Sequence, residues 1–387
     1  MKRLFVRYIL IFSVLLPLFA SCTKNGDSEY PYDRVVLLYL AANNNLSAYA
    51  SNNINAIKKG YLPEEEDKKI LLVYSHLSGS LPKLVRIYKD SEGIVRGDVV
   101  SNYDEQNSAS AAVLSEVLEK VKIIFPSKEY GLILWSHATG WLPEGYYDTK
   151  SGFQAPYPDP YKDIVKSFGE DNGREMEITD MVAAIPYRLS FMIFDCCFMG
   201  GIETVYELKD KCDYILASPT EILATGFPYD QIMLPLFGKE ANLSQTGNLF
   251  FDYYNNQSGI YRSATLALYK TEKLENLAQV SRSIFNNHRP SITNVNVSEI
   301  QEYFRLEKHW FYDFSDFMRQ IATGYEYNEF VAALNQVVVK KWTTESFLDI
   351  QIESYSGMSI YVPVPSNTYL ENFYREFSWN KAALMIN

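Results

Sequence analysis

The sequence predicts an α/β fold, a mostly parallel sheet flanked by helices and followed by a helical C-terminal region. Three observations carry this. Short runs of large apolar residues are continuous rather than alternating, as expected of strands buried on both faces. Amphipathic runs separate them, which is the order of a parallel sheet. From about Lys270 the chain turns helical and aromatic.

Taken in order, RVVLLYLA (34–41) is the first strand and 47–58 the first helix. KILLVY (69–74) is the second strand, and 108–124 a helix that leads into YGLILW (130–135). The helix at 177–185 leads into LSFMIF (189–194), and 200–209 into YILA (214–217). In such sheets binding residues gather in the loops past the carboxyl ends of the strands. The segment Leu142–Glu175 breaks the alternation with Gly, Pro, Tyr and charge, and a long irregular insertion beside a site is commonly functional. Helical composition continues from Lys270 to 344, and YSGMSIYVPVP (355–365) reads as a returning strand. The expected organisation is residues 33–268 as the α/β domain and 269–387 as the C-terminal helical region, with a strand near 356–363.

The first residues stand outside that fold. Lys2, Arg3 and Arg7 precede an apolar run from about Tyr8 to Phe19, so residues 1–21 read as a secretory signal peptide, too short for a membrane span. Ala20 and Ser21 before Cys22 resemble the bacterial lipobox. The expectation is an acylated Cys22, a tether over 22–32, and an exported lipoprotein of the bacterial cell envelope.

The 387 residues include 30 Tyr and 22 Phe with 21% charged residues, a globular composition. The formal net charge is −11, and losing the signal removes three basic and no acidic side chains. An exterior this acidic repels phosphate backbones, so nucleic acid is excluded as a partner. The chain is expected to be monomeric.

With Cys22 carrying lipid, Cys196, Cys197 and Cys212 remain, and they form no spaced pairs of a disulfide framework. Adjacent residues such as Cys196 and Cys197 are badly placed to bridge each other. A nucleophilic thiol needs a proton partner, because a thiol near its free pKa of ~8.5 is mostly protonated at neutral pH. Only His76, His137, His288 and His309 are available. His76 (LLVYSHLSGS) and His137 (LILWSHATGW) both follow apolar strands, so pattern alone leaves two contenders. His288 and His309 sit in amphipathic stretches and read as ordinary surface residues.

WSHATGW (135–141) with FDCCFMG (194–200) resembles the paired blocks of the caspase-like clan of cysteine peptidases, and most of all the clostripain family. YLAANNNLS (39–47) and YSGMSIYVP (355–363) are similar to that family's flanking motifs, and the resemblance covers roughly 34–365. It implies a caspase-like sheet and a Cys-His dyad of His137 and Cys197. Cys196 takes the place of the family's alanine, as a small buried filler. The clan's oxyanion hole maps to the backbone N–H groups of Ala138 and Cys197. The family has glycine where this chain has Ala138, so the hole needs a φ that tolerates a Cβ.

Asp195 and Cys197 lie two apart, on one face of an extended strand. Asp195 is therefore either an acid that pairs with a basic side chain before the scissile bond or the cap of a helix starting near Phe198. Thr220 and Glu221, after the next strand, are candidates to line that specificity (S1) pocket. The resemblance implies cleavage after Arg or Lys. It also implies activation by a cut between the histidine and the cysteine, where Lys150, Lys162, Lys166 and Arg174 are the basic residues and Lys150 the favoured site. No cofactor is required. Calcium dependence is known in the family, but the acidic residues lack ordered ligand spacing, and no metal site is expected. The expected function is a lipid-anchored cysteine endopeptidase cleaving after Arg or Lys in peptides or proteins. The alternative is a catalytically weak or inactive peptidase-fold lipoprotein that binds peptides or glycans.

Overall fold

The protein is described by a computed structural model over residues 30–144, 146, 169–171, 173–304 and 309–387. Cys22, Lys150, Lys162 and Lys166 lie outside the described residues. Among the described residues no helix is long and apolar enough to cross a membrane.

In chain order the elements are β1 (Tyr32–Ala42), α1 (Ser47–Ile57), β2 (Lys69–Leu77), β3 (Lys83–Lys89), β4 (Val95–Asn102), α2 (Ala111–Ile124) and β5 (Ser127–Trp135). Then come α3 (Ile178–Ala184), β6 (Leu189–Asp195), α4 (Ile202–Glu207), β7 (Cys212–Ala217), α5 (Tyr229–Leu236), α6 (Leu243–Asn255) and β8 (Thr265–Lys270). The C-terminal region supplies α7 (Leu274–Asn287), α8 (Arg289–Ile292), β9 (Tyr312–Asp313), α9 (Phe314–Ile321), α10 (Gly324–Val337), β10 (Val338–Thr343), α11 (Thr368–Arg375) and α12 (Ser378–Ala383). A short strand at Ser359–Ile360 pairs with β9.

Nine strands form one sheet in the order β10-β8-β7-β6-β5-β1-β2-β3-β4. The central strands β2, β1, β5, β6 and β7 run parallel, and antiparallel strands extend both edges. This is the mostly parallel, helix-flanked sheet that the apolar runs predict. Burial explains those runs: Val35 to Ala42, Leu132 to Trp135 and Phe191 to Phe194 are at most 2% exposed.

Strands β3 and β4 were not expected. Val95–Asn102 alternates poorly and is mostly exposed, because an edge strand needs a partner on one side only. Helix 200–209 is shorter than expected, since Cys196–Gly200 form an irregular turn and α4 begins after Gly201.

From β1 the chain steps by α1 to β2 on one side, then returns by α2 to β5 on the other side of β1. The carboxyl ends of β1 and β5 thus flank a topological switch point, where loops part and leave a crevice.

Candidate active site

His137 and Cys197 each stand two residues past a strand end, and those ends, Trp135 of β5 and Asp195 of β6, are register partners in adjacent parallel strands. Strands about 4.8 Å apart therefore carry the two loops out side by side. The loops touch. Gly140, with φ +61°, lies so close to the Phe198 carbonyl that a Cβ there would sit 2.6 Å from the oxygen. Phe198 itself has φ 59°, a left-handed conformation that costs a non-glycine residue about 1–2 kcal/mol. Its N–H donates to Thr220 O at 2.8 Å, and its ring stacks on Phe304 and Phe311 at 4.4 and 4.9 Å. Such over-determination is what holds a strained residue beside a functional group.

A narrow cleft lies between the loops, lined by Leu46, His137, Asp195, Cys197, Ile222, Leu223 and Ala224 among others. Of the four histidines only His137 lines it. Its Nε2 lies 2.9 Å from Asn45 Oδ1. An amide oxygen accepts only, so Nε2 carries the proton and this bond sets the tautomer. The sequence motif YLAANNNLS assigns no role to Asn45. The clue was a side-chain amide at the tip of the strand that neighbours β5.

Cys197 is half-buried under the chain that follows β7. Ile222 N–H donates to Cys197 Sγ at 3.3 Å, and the Sγ–H points to Ile222 O at 3.7 Å. Cys196 faces the other way. Its Sγ–H donates to Leu134 O at 3.0 Å, and burial pushes its thiol up, away from thiolate chemistry. Ala138 is buried and is not among the residues with positive φ, so its Cβ strains nothing and its N–H is retained.

Asp195 lies in the cleft wall, 5% exposed. Its Oδ2 accepts from Phe227 N–H at 3.1 Å and Tyr229 OH at 2.9 Å, and it caps no helix. Burial outweighs both bonds and lifts its carboxyl to about 7. Thr220 is fully buried outside the cleft lining, its hydroxyl 2.7 Å from Thr265 Oγ1 and donating to Glu221 O at 2.9 Å. Glu221 is buried beside it, also outside the lining.

His76 sits at the tip of β2, across β1 from His137, with Nδ1 2.7 Å from Asp171 Oδ2. His288 caps the end of α7 against Glu326 at 2.7 Å, and His309 pairs with Glu302 outside any helix. Arg174 is described, in a bridge with Asp171 at the C-terminal end of the insertion. Among the described residues no group of three or more His, Cys, Asp or Glu side chains is arranged to hold a metal ion.

A parallel α/β sheet that presents a cysteine and a histidine on adjacent strand tips, beside a buried acid, defines a cysteine peptidase class. The clostripain family model matches residues 38–384, and the chain belongs to that family. An inactive zymogen C11 protease from Parabacteroides distasonis is similar at 33% identity and TM-score 0.77, with 91% of this chain and 98% of that one covered. A secreted C11 cysteine protease from Bacteroides thetaiotaomicron, in complex with an irreversible peptide inhibitor, is similar at 27% identity and TM-score 0.77, covering 91% and 99%. No curated protein sequence matches the chain.

Proposed function

We propose that this clostripain-family peptidase is a lipid-anchored endopeptidase that cleaves after Arg or Lys through a dyad of Cys197 and His137. The observation that carries the reading is that these two side chains line one cleft together with Asp195. With Nε2 bonded to Asn45, proton transfer falls to His137 Nδ1. Cys197 Sγ attacks the scissile carbonyl carbon while its proton passes to Nδ1, which then gives it to the leaving amine. The resulting thioester is hydrolysed by water deprotonated at the same nitrogen. The N–H groups of Ala138 and Cys197 supply the oxyanion donors, each worth about 3–4 kcal/mol of transition-state stabilisation.

Asp195 is the specificity acid in this reading. A guanidinium or ammonium entering the cleft would recharge a carboxyl that burial holds neutral up to about 7, trading hydrogen bonds from Tyr229 and Phe227 for a charge-assisted pair. Thr220 and Glu221 act behind the cleft, by shaping the chain that carries Ile222. That chain covers Cys197 here, which fits a precursor awaiting a cut at Lys150, and the similar zymogen supports this. Acylation of Cys22 would hold the enzyme at the bacterial envelope by its N-terminus.

The test uses an Arg-containing reporter peptide. Cys197→Ala abolishes cleavage, Cys196→Ala keeps most of it, and His137→Ala loses about 10²–10⁴-fold. Retained cleavage by the Cys197 variant would move the nucleophile elsewhere. The covered sulfur also favours a second reading, a peptidase-fold binder without activity. Labelling with a thiol-reactive arginyl peptide separates the two, since a binder leaves Cys197 unmodified even after proteolysis of the insertion.

A further inference from the structure

The insertion re-enters the described structure at Gly169, and its next residues run across three strand tips. Gly169 N–H donates to His137 O at 3.0 Å, and Glu170 N–H donates to Ser136 Oγ at 3.0 Å, both past β5. Asn44 Nδ2 donates to Glu170 O at 2.8 Å, and Asn43 Nδ2 to Asp171 Oδ1 at 2.9 Å, both past β1. Asp171 Oδ2 lies 2.7 Å from His76 Nδ1 on β2 and accepts from Ser108 N–H at 2.6 Å. The acid is 3% exposed and the imidazole 1%, so both are removed from water at the switch point.

Two features of this stitch bear on catalysis. It takes hold of the main chain of His137 itself. It also holds Asn43 and Asn44, the residues leading to the Asn45 that sets the His137 tautomer. Both ends of the His137–Asn45 hydrogen bond are thus tied to one short segment, and that segment is tied down by one carboxylate. Burial works to raise the Asp171 carboxyl, but His76, the Ser108 N–H and the Asn43 amide together hold it below the usual carboxylate range.

We propose that Asp171, clamped by His76, is a positioning residue for His137: it fixes the ring and tautomer of the catalytic imidazole from the C-terminal end of the insertion. This rests on His137 being the catalytic base. A nucleophile–base geometry loosened by about 1 Å can cost on the order of 10²-fold in rate, while substrate contacts on the other side of the cleft are untouched. The consequence is a loss in kcat rather than in binding. His76, the second contender by sequence pattern, then has a role that is not proton transfer.

The experiment compares full-length wild type with Asp171→Ala, Asp171→Asn and His76→Gln, each checked for wild-type-like melting and assayed before and after limited proteolysis of the insertion, the cut that the precursor reading requires for activity. Two readouts are taken: kcat and KM on an Arg-containing reporter, and ¹⁵N spectra of the imidazoles, which only four histidines contribute. Asp171→Ala is expected to lower kcat about 10- to 100-fold at unchanged KM and to move His137 from the Nε2–H form to a tautomer mixture. Should Asp171→Ala not fold, Asp171→Asn keeps the shape and reports the same two quantities with a smaller loss. Glu105→Gln, which changes the exposed second neighbour of His76 at 3.5 Å, leaves both readouts at wild type. An active wild type whose folded Asp171 variants keep kcat and the His137 spectrum would overturn the proposal and spare the peptidase reading. A wild type inactive on every basic reporter even after a cut in the insertion, with the His137 spectrum still shifting in Asp171→Ala, would support the positioning and remove only the peptidase reading.

Discussion

Cys196 and Cys197 are neighbours in sequence and opposites in environment. The Cys196 sulfur is buried and bonds back to β5, whereas Cys197 is partly exposed and held by the chain at Ile222. Asp195, one residue earlier, shares the cleft with Cys197 and is kept neutral by burial up to about 7. Its folded pKa is raised above the unfolded 3.8, so the folded state binds the extra proton between about pH 4 and 7, and stability from this group falls as pH rises through that window. Asp195→Asn should therefore melt higher than wild type at pH 8, with the difference shrinking toward pH 4, while KM for basic substrates rises. A difference independent of pH would mean the carboxyl is charged in the folded state. Gly140 is a second test at this scale. Gly140→Ala adds left-handed strain and drives a Cβ against the Phe198 carbonyl, so a loss of about 1–3 kcal/mol is expected in denaturant unfolding, with activity falling alongside.

At the scale of elements, the His137 loop is anchored by its last residue. Trp141 is fully buried, with its ring centroid 5.0 Å from Tyr361 and 5.3 Å from Tyr374. Trp141→Ala should cost about 3–5 kcal/mol and inactivate more through the displaced loop than through substrate binding, which unfolding curves and KM together would report. The central strands were legible because burial on both faces demands continuous apolar runs. The antiparallel pair β3 and β4 at one end of the sheet was not, since β4 has a free edge and is mostly exposed, and β3, between β2 and β4, is buried at only some of its positions. The irregular turn at Cys196–Gly200 was also hidden, because its shape comes from Phe198 stacking on residues more than 100 positions away.

At the scale of the whole molecule, the C-terminal region builds the sheet and backs the site. β10 pairs with β8, and Glu203, in the helix after Cys197, has Oε1 accepting from Tyr361 N–H at 2.9 Å and Tyr374 OH at 2.8 Å. Burial lifts Glu203 to about 7, so Glu203→Gln should raise stability at pH 8 by ~1–3 kcal/mol relative to its effect at pH 4, by the same sign as for Asp195. A chain ending before Phe311 loses one of the two stacking partners of Phe198 and both partners of Glu203, and it should show no cooperative melt.

By itself the sequence determined the strand runs, the adjacent cysteines and two contending histidines, because strand burial and a nucleophile's need for a base both leave local marks, while the choice of His137 and Cys197 came from the resemblance to the family motifs. Tertiary structure alone decided which histidine shares the cleft with Cys197, that Asn45 orients it, and that His76 pairs with Asp171 instead. Those choices depend on strand order and on a carboxylate 95 residues away, and neither leaves a mark in any window of sequence.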